Sequence, residues 1–227
     1  MTYVMSDIFG EYEKYRAMLE KISFKNTDVL YILGNIIDYG EGGIEILTDM
    51  SYRANVIPVI GEHEYMALKV LGGLVDADNA PSEKLKANLQ EWLSNGGQTT
   101  MNAFMQLSQD EKEGIVEYLE EFSGYEVVQA GGETFVLVHA GLSDFAPDKD
   151  LYDYSIDQLI FEGADYNKKY FDDKTLVTGH TPTYEINEAM RGKIIKQNGH
   201  IAIDCGVFSG ETLGCICLEN GKEFYVE

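Results

Sequence analysis

The sequence predicts an α/β fold with mixed sheets, parallel at its start and antiparallel at its end. Three features carry that expectation. Strand-like and helix-like segments alternate over residues 1–60, residues 64–122 lose the strands and turn helical, and the last stretch is strand-rich with tight-turn signals. The 227 residues suffice for one sizeable core and are read as a single domain, 1–227, with the helical region as an insertion rather than a second domain.

The chain begins in a strand that runs into V-M-S-D (4–7). Tyr12, Tyr15, Met18, Leu19 and Ile22 then recur at helical spacing. V-L-Y-I-L (29–33) is a short buried strand, Ile44, Leu47 and Met50 mark a second helix, and V-I-P-V-I (56–60) is a third strand. Pro58 cannot donate to a ladder, so that strand belongs at an edge or a bulge. Within the insertion, Leu85, Leu89, Trp92 and Leu93 share one helix face, N-G-G-Q-T-T (95–100) is a turn and a new helix start, and S-Q-D-E (108–111) is a capping box before Ile115, Leu119 and Phe122. Strands resume at 125–129, 134–139 and 175–178, followed by 193–196, 200–204, 213–218 and 223–226, with N-G (198–199) and N-G-K (220–222) as tight turns.

The formal net charge is -22. Such a surface repels phosphate backbones and anionic membranes, so neither nucleic acid nor membrane is expected as a partner, and a phosphorylated ligand works against the long-range field. No apolar run reaches the length of a membrane span, and no basic segment precedes an apolar stretch at the N-terminus, so a cytoplasmic location is expected. The three cysteines, Cys205, Cys215 and Cys217, are an odd set without paired CxxC spacing and are read as buried reduced thiols.

The residues that follow the strands carry the chemistry. Asp7 follows the first strand; Asn35 and Asp38 the second; Glu62 and His63 the third; His139 and His180 two later ones. Ligands of open α/β sheets bind at the carboxyl ends of strands. Taken singly, Asp7 reads equally well as a helix cap, Asn35 or Asp38 as turn residues and His139 as a core histidine. Jointly, five strand ends bearing Asp, Asn, Glu and His beside glycines point to one site.

The order D-x-x-G, G-x-x-x-D-x-G, G-x-H-E, H-A-G and G-H-T-P resembles the phosphoprotein phosphatases among the calcineurin-like metallophosphoesterases, with bacterial and phage members most similar. The resemblance includes G-Q-T-T (97–100) and D-C-G (204–206) and spans nearly the whole chain. It implies a β-sandwich flanked by helices and two metals about 3.5–4 Å apart that activate a bridging hydroxide. It also implies that His63, oriented by Asp38, protonates the leaving group, and that Asp7, Asn35, Glu62, His139 and His180 occupy metal-ligand positions.

The sequence departs from that pattern at identifiable places. Phe9 stands at a metal-ligating histidine position, Asn35 at the bridging aspartate, Glu62 at the ligating asparagine, and Tyr39 and Gly163 at phosphate-gripping arginines. Asp7, Asp38, His63, Glu64, His139 and His180 remain. A phenyl ring donates no electron pair, so the first metal position is poor. Asn35, Glu62, His139 and His180 still suit one divalent transition metal (manganese, zinc or iron), and a second is not expected. Losing one transition-state donor typically costs about 10²–10³ in rate. Three readings result. The preferred one is a serine/threonine-phosphatase-like protein with a degraded dimetal site, catalytically impaired, that acts by binding or regulation on a phosphorylated ligand or protein partner. The second is an active mononuclear phosphoester hydrolase acting on a phosphoprotein, phosphodiester or nucleotide. The third is a metal-free scaffold with a polar cavity.

Overall fold

The structure, a computed structural model, describes residues 1–75 and 82–227. The helical insertion expected over 64–122 includes residues 76–81, which lie outside the described residues.

The alternating start forms β1 (Thr2–Met5), α1 (Tyr12–Lys21), β2 (Val29–Leu33), α2 (Gly43–Ser51) and β3 (Val56–Val59). The insertion forms α3 (Glu62–Val75), α4 (Glu83–Trp92), α5 (Gln98–Met105) and α6 (Gln109–Glu120), the last opened by the Ser108–Glu111 capping box. Then come β4 (Tyr125–Ala130), β5 (Glu133–Val138), α7 (Ile156–Ile160), β6 (Thr175–Thr178), α8 (Thr183–Ile186), β7 (Ile195–Gln197), β8 (His200–Ala202), β9 (Leu213–Cys217) and β10 (Glu223–Val226).

These strands make two five-stranded sheets, β10-β9-β1-β2-β3 and β4-β5-β6-β8-β7. In the first, β1, β2 and β3 are parallel and β9 and β10 antiparallel additions. In the second, β5, β6 and β8 are parallel, with β4 and β7 antiparallel at the edges. Side-chain alternation explains the layering. Val4, Tyr31 and Leu33 of one sheet meet Phe135, Leu137 and Val177 of the other in an inner core, while Tyr3, Met5, Leu30, Ile32, Val136 and Val138 point outward into the larger core beneath the helices. Both faces of the central strands are thus buried, which is why they read as continuous apolar runs rather than alternating ones.

Pro58 lies in β3, at the edge of the first sheet as its missing N–H requires. The end of the insertion is tied back to that strand by Ile60 N–H on the Ser123 carbonyl, 2.9 Å. The C-terminal strands form two hairpins, β7–β8 and β9–β10, in different sheets. Asn198 and Gly199, both at positive φ, close the first. The strand expected at 193–196 begins only at Ile195, because the Lys193 N–H closes a turn on Met190 and the Ile194 N–H goes to the Tyr225 hydroxyl. The crossing from β8 to β9 carries a short 3-10 turn, Val207–Ser209, back towards the strand ends that hold the site. All three cysteines are buried free thiols.

Candidate metal centre and active site

Each strand delivers its polar residue just past its carboxyl end, and the backbone there is unusual. Among the described residues nine non-glycine positions have positive φ, and six of them are Asp7, Phe9, Asn35, Asp38, Tyr39 and His180. Left-handed backbone at bulky residues is strained and concentrates where a side chain must be aimed. Gly34, also left-handed, lets these turns close up: a Cβ there would lie 2.6 Å from both the Gly61 Cα and His139 Nδ1.

Glu62, His139 and His180 converge, with one ligand atom of each within 4.8 Å of the others. Glu62 opens α3, its Oε2 pairs with His139 Nε2, and its Oε1 lies 3.1 Å from His180 Nδ1. His139 is fully buried, and its Nδ1–H donates to the Leu33 carbonyl at 2.6 Å. That bond fixes the ring and turns Nε2 to Glu62, the backing a metal-ligating histidine needs. A bare nitrogen lone pair facing a carboxylate is repulsive, so a proton or a cation belongs between them. In the metal-free chain it is a proton: burial works against it, yet the Glu62 and Asp7 carboxylates hold His139 up at about 10. Burial would raise Glu62, but the two imidazoles hold it well below its ordinary value. Two imidazole nitrogens and one carboxylate form a donor set suited to a divalent transition metal.

Asp7 and Asn35 stand one hydrogen bond outside this group. The Asn35 amide Nδ2 donates to Asp7 Oδ1 at 3.0 Å and to Glu62 Oε1 at 3.1 Å. Asp7 also accepts the His180 backbone N–H at 2.9 Å and the Ser6 hydroxyl, and burial raises its carboxyl. The structure therefore brings three of the five expected ligands together and occupies Asp7 with neutral donors.

Beside this group sits His63. Its Nδ1–H donates to Asp38 Oδ2 at 2.8 Å, and among the described residues nothing hydrogen-bonds its Nε2. Burial lowers His63, but the Asp38 bond and charge outweigh it and the net shift is upward. Asp38 is fully buried and held by the Trp92 indole N–H, 2.7 Å, and the Thr100 hydroxyl, 2.7 Å. The insertion thus buttresses the His63–Asp38 pair, a contact that sequence alone does not show although Trp92 and G-Q-T-T are both visible there. Glu64 has a structural role that its residue type alone does not show. Its buried carboxylate accepts the backbone N–H groups of Asn35 (2.9 Å), Ile36 (2.8 Å), Ile37 (3.2 Å) and Gly61 (3.0 Å), locking the β2 and β3 turns together. Burial still raises it on balance. Asp204, in D-C-G, is buried and accepts the Gly206 N–H; burial and the neighbouring Asp7 charge push its carboxyl well up.

The substituted positions fall on the same rim. The Phe9 ring centroid lies 5.3 Å from that of His63, 5.6 Å from Tyr39 and 5.7 Å from Phe208. Gly163 adjoins Thr181 and His180: a Cβ there would meet Thr181 Oγ1 at 2.5 Å and His180 Cδ2 at 3.9 Å. Phe208 was not anticipated, because its short crossover turn has no periodicity to read.

The profile of the calcineurin-like phosphoesterases matches residues 2–211. The chain belongs to that family. It has the fold of that metal-dependent family, two mixed sheets with flanking helices. Similar proteins include the symmetrical bis(5'-nucleosyl)-tetraphosphatase of Klebsiella pneumoniae (strain 342), 32% identical over 91 residues that make up 39% of this chain and 32% of that protein. The same enzyme of Haemophilus ducreyi is 31% identical over 102 residues, 40% of this chain and 37% of that protein. The matched stretch is about a third of the length of those curated relatives. A serine/threonine phosphatase of Saccharomyces cerevisiae superposes with a TM-score of 0.64 at 11% identity, over 94% of this chain and 71% of its own. A metallophosphoesterase of Sphaerobacter thermophilus gives 0.56 at 16% identity, over 100% and 88%. At these identities the structures establish likeness of fold. Among the described residues no helix is long and apolar enough to cross a membrane.

Proposed function

We propose that this calcineurin-like phosphoesterase holds a single divalent transition metal (zinc, manganese or iron) on Glu62, His139 and His180 and binds phosphoesters beside it, with turnover far below that of a two-metal site. The observation that carries this reading is the convergence of those three donors while Phe9, whose resemblance position is a metal ligand, packs its ring on His63 and Tyr39. When bound, a divalent cation supplies charge stabilisation at a phosphoryl oxygen. One cation cannot clamp both sides of a transferring phosphoryl group, and Tyr39 and Gly163 offer no guanidinium to its oxygens. Binding, to a phosphorylated ligand or protein partner in the cytoplasm, is then the main output.

A second reading, an active mononuclear hydrolase, is favoured by one feature. The His63–Asp38 pair, held by Trp92 and Thr100, keeps the arrangement of an oriented general acid. The tetraphosphatase relatives make nucleotides the first substrates to try. Steady-state turnover of an aryl phosphate and of a dinucleoside tetraphosphate, with His63→Ala and His139→Ala as controls, separates the two. The binding reading expects slight turnover. Robust metal-dependent turnover abolished by His63→Ala would establish the second.

A further inference from the structure

Phe9, Tyr39 and Phe208 pack as an aromatic cluster at the rim of the site, their rings tilted 53–72° to one another. Tyr39 and Phe208 approach to 4.4 Å between ring centroids, and Phe9 packs against both. Phe9 is nearly covered, but Tyr39 is 39% and Phe208 57% exposed, so two rings remain available to a ligand. The inner edge of this cluster touches His63, whose ring centroid lies 5.3 Å from Phe9 and 5.5 Å from Tyr39.

We propose that the exposed rings of Tyr39 and Phe208, backed by Phe9, form a platform that stacks on a planar aromatic ring carried on a phosphoester whose phosphate lies by Glu62, His139 and His180. The inference rests on the single-metal reading and names the class of ligand that site takes. Three observations support it. The platform adjoins His63, the residue whose resemblance role is to protonate the leaving group, rather than some remote face. The chain keeps Phe9 at φ 49° and Tyr39 at φ 58°, strained values for aromatic residues, and so pays for the aim of these two rings. The net charge of -22 opposes an anionic ligand, and the positions where the resemblance places arginines hold Tyr39 and Gly163; uncharged stacking supplies the attraction that cations do not.

The ring could come from a nucleobase or from a phenol such as a tyrosyl group, and the two are told apart by the probes. Calorimetric titration of the metal-loaded protein compares adenosine 5'-monophosphate and phenyl phosphate with ribose 5-phosphate, which carries the same phosphate without an aromatic ring. Base stacking on aromatic side chains corresponds to a preference of about fivefold or more. At least one aromatic probe should show it, and Phe208→Ala should remove it while leaving metal uptake and ribose 5-phosphate binding unchanged. A preference for adenosine 5'-monophosphate alone identifies the nucleobase; one for phenyl phosphate alone identifies the phenol. Phe208→Trp gives a second readout: the added indole should be quenched by the bound ring beyond any change in the parent, whose single tryptophan is the buried Trp92. Equal binding of all three probes to a protein that takes up metal normally would overturn the platform and leave the metal reading standing. Failure to take up metal would overturn the metal reading, and the same three-probe titration of the metal-free protein would still decide the platform.

Discussion

His200 is the one histidine of four that lies outside the site. It is buried under Tyr166, whose ring stacks on it at 4.6 Å; its Nε2 meets the Thr178 hydroxyl at 2.9 Å, and among the described residues its Nδ1 has no partner. Burial pulls its pKa from 6.5 down to about 4. The folded chain therefore holds it neutral while the unfolded chain protonates near 6.5. Its contribution is complete above pH 6.5 and is lost as pH falls towards 4, amounting to about 3 kcal/mol. Raised carboxyls such as Asp204 act in the opposite direction, so the comparison must be between variants. Urea denaturation at pH 7 and pH 4.5 should show a smaller loss of stability for His200→Gln than for the parent; identical losses would refute the assignment. At this level the sequence was informative about types and silent about partners. Glu64 was visible in G-E-H-E, yet its four bonds go to backbone N–H groups, whose positions depend on turns that no residue type specifies.

The strands and long helices were legible because their periodicities differ and their caps are explicit, as in the Ser108 capping box. The β-α-β start also placed Asp7, Asn35, Asp38, Glu62 and His63 at strand ends, since parallel strands all end on the same edge. The pairing of α4 with the site was not legible. It depends on the Leu93–Gly97 segment, where the chain bends through Asn95 and Gly96 before α5 begins. Gly96 has φ 89°, its carbonyl accepts the Tyr39 N–H at 3.0 Å, and a Cβ on it would lie 2.6 Å from the Tyr39 ring. Gly96→Ala should cost about 1–3 kcal/mol through strained backbone. It should also weaken aromatic-phosphate binding by displacing Tyr39. Thermal unfolding and calorimetry on the variant test both, and unchanged stability with unchanged binding would show that the contact is not tight.

Across the whole molecule, two sheets share an inner core and one edge that gathers five strand ends, so the site is a property of the sandwich rather than of any segment. Resemblance of ordered motifs made that architecture readable; composition alone gave only an acidic globular chain. The acidity has a consequence for binding. Because the net charge of -22 repels an anionic ligand, raising ionic strength from about 0.01 M to about 0.15 M should tighten phosphoester binding, the reverse of a cation-lined site. A dissociation constant that rises with salt, measured at fixed free metal, would mean that local cations dominate. The proposed single-metal centre is tested most directly by metal stoichiometry after dialysis, with anomalous scattering to place the ion. One equivalent per chain is expected, between Glu62, His139 and His180, lost in His139→Ala and in His180→Ala. Two tightly held equivalents with the second ion at Asp7, or one that survives both substitutions, would contradict it.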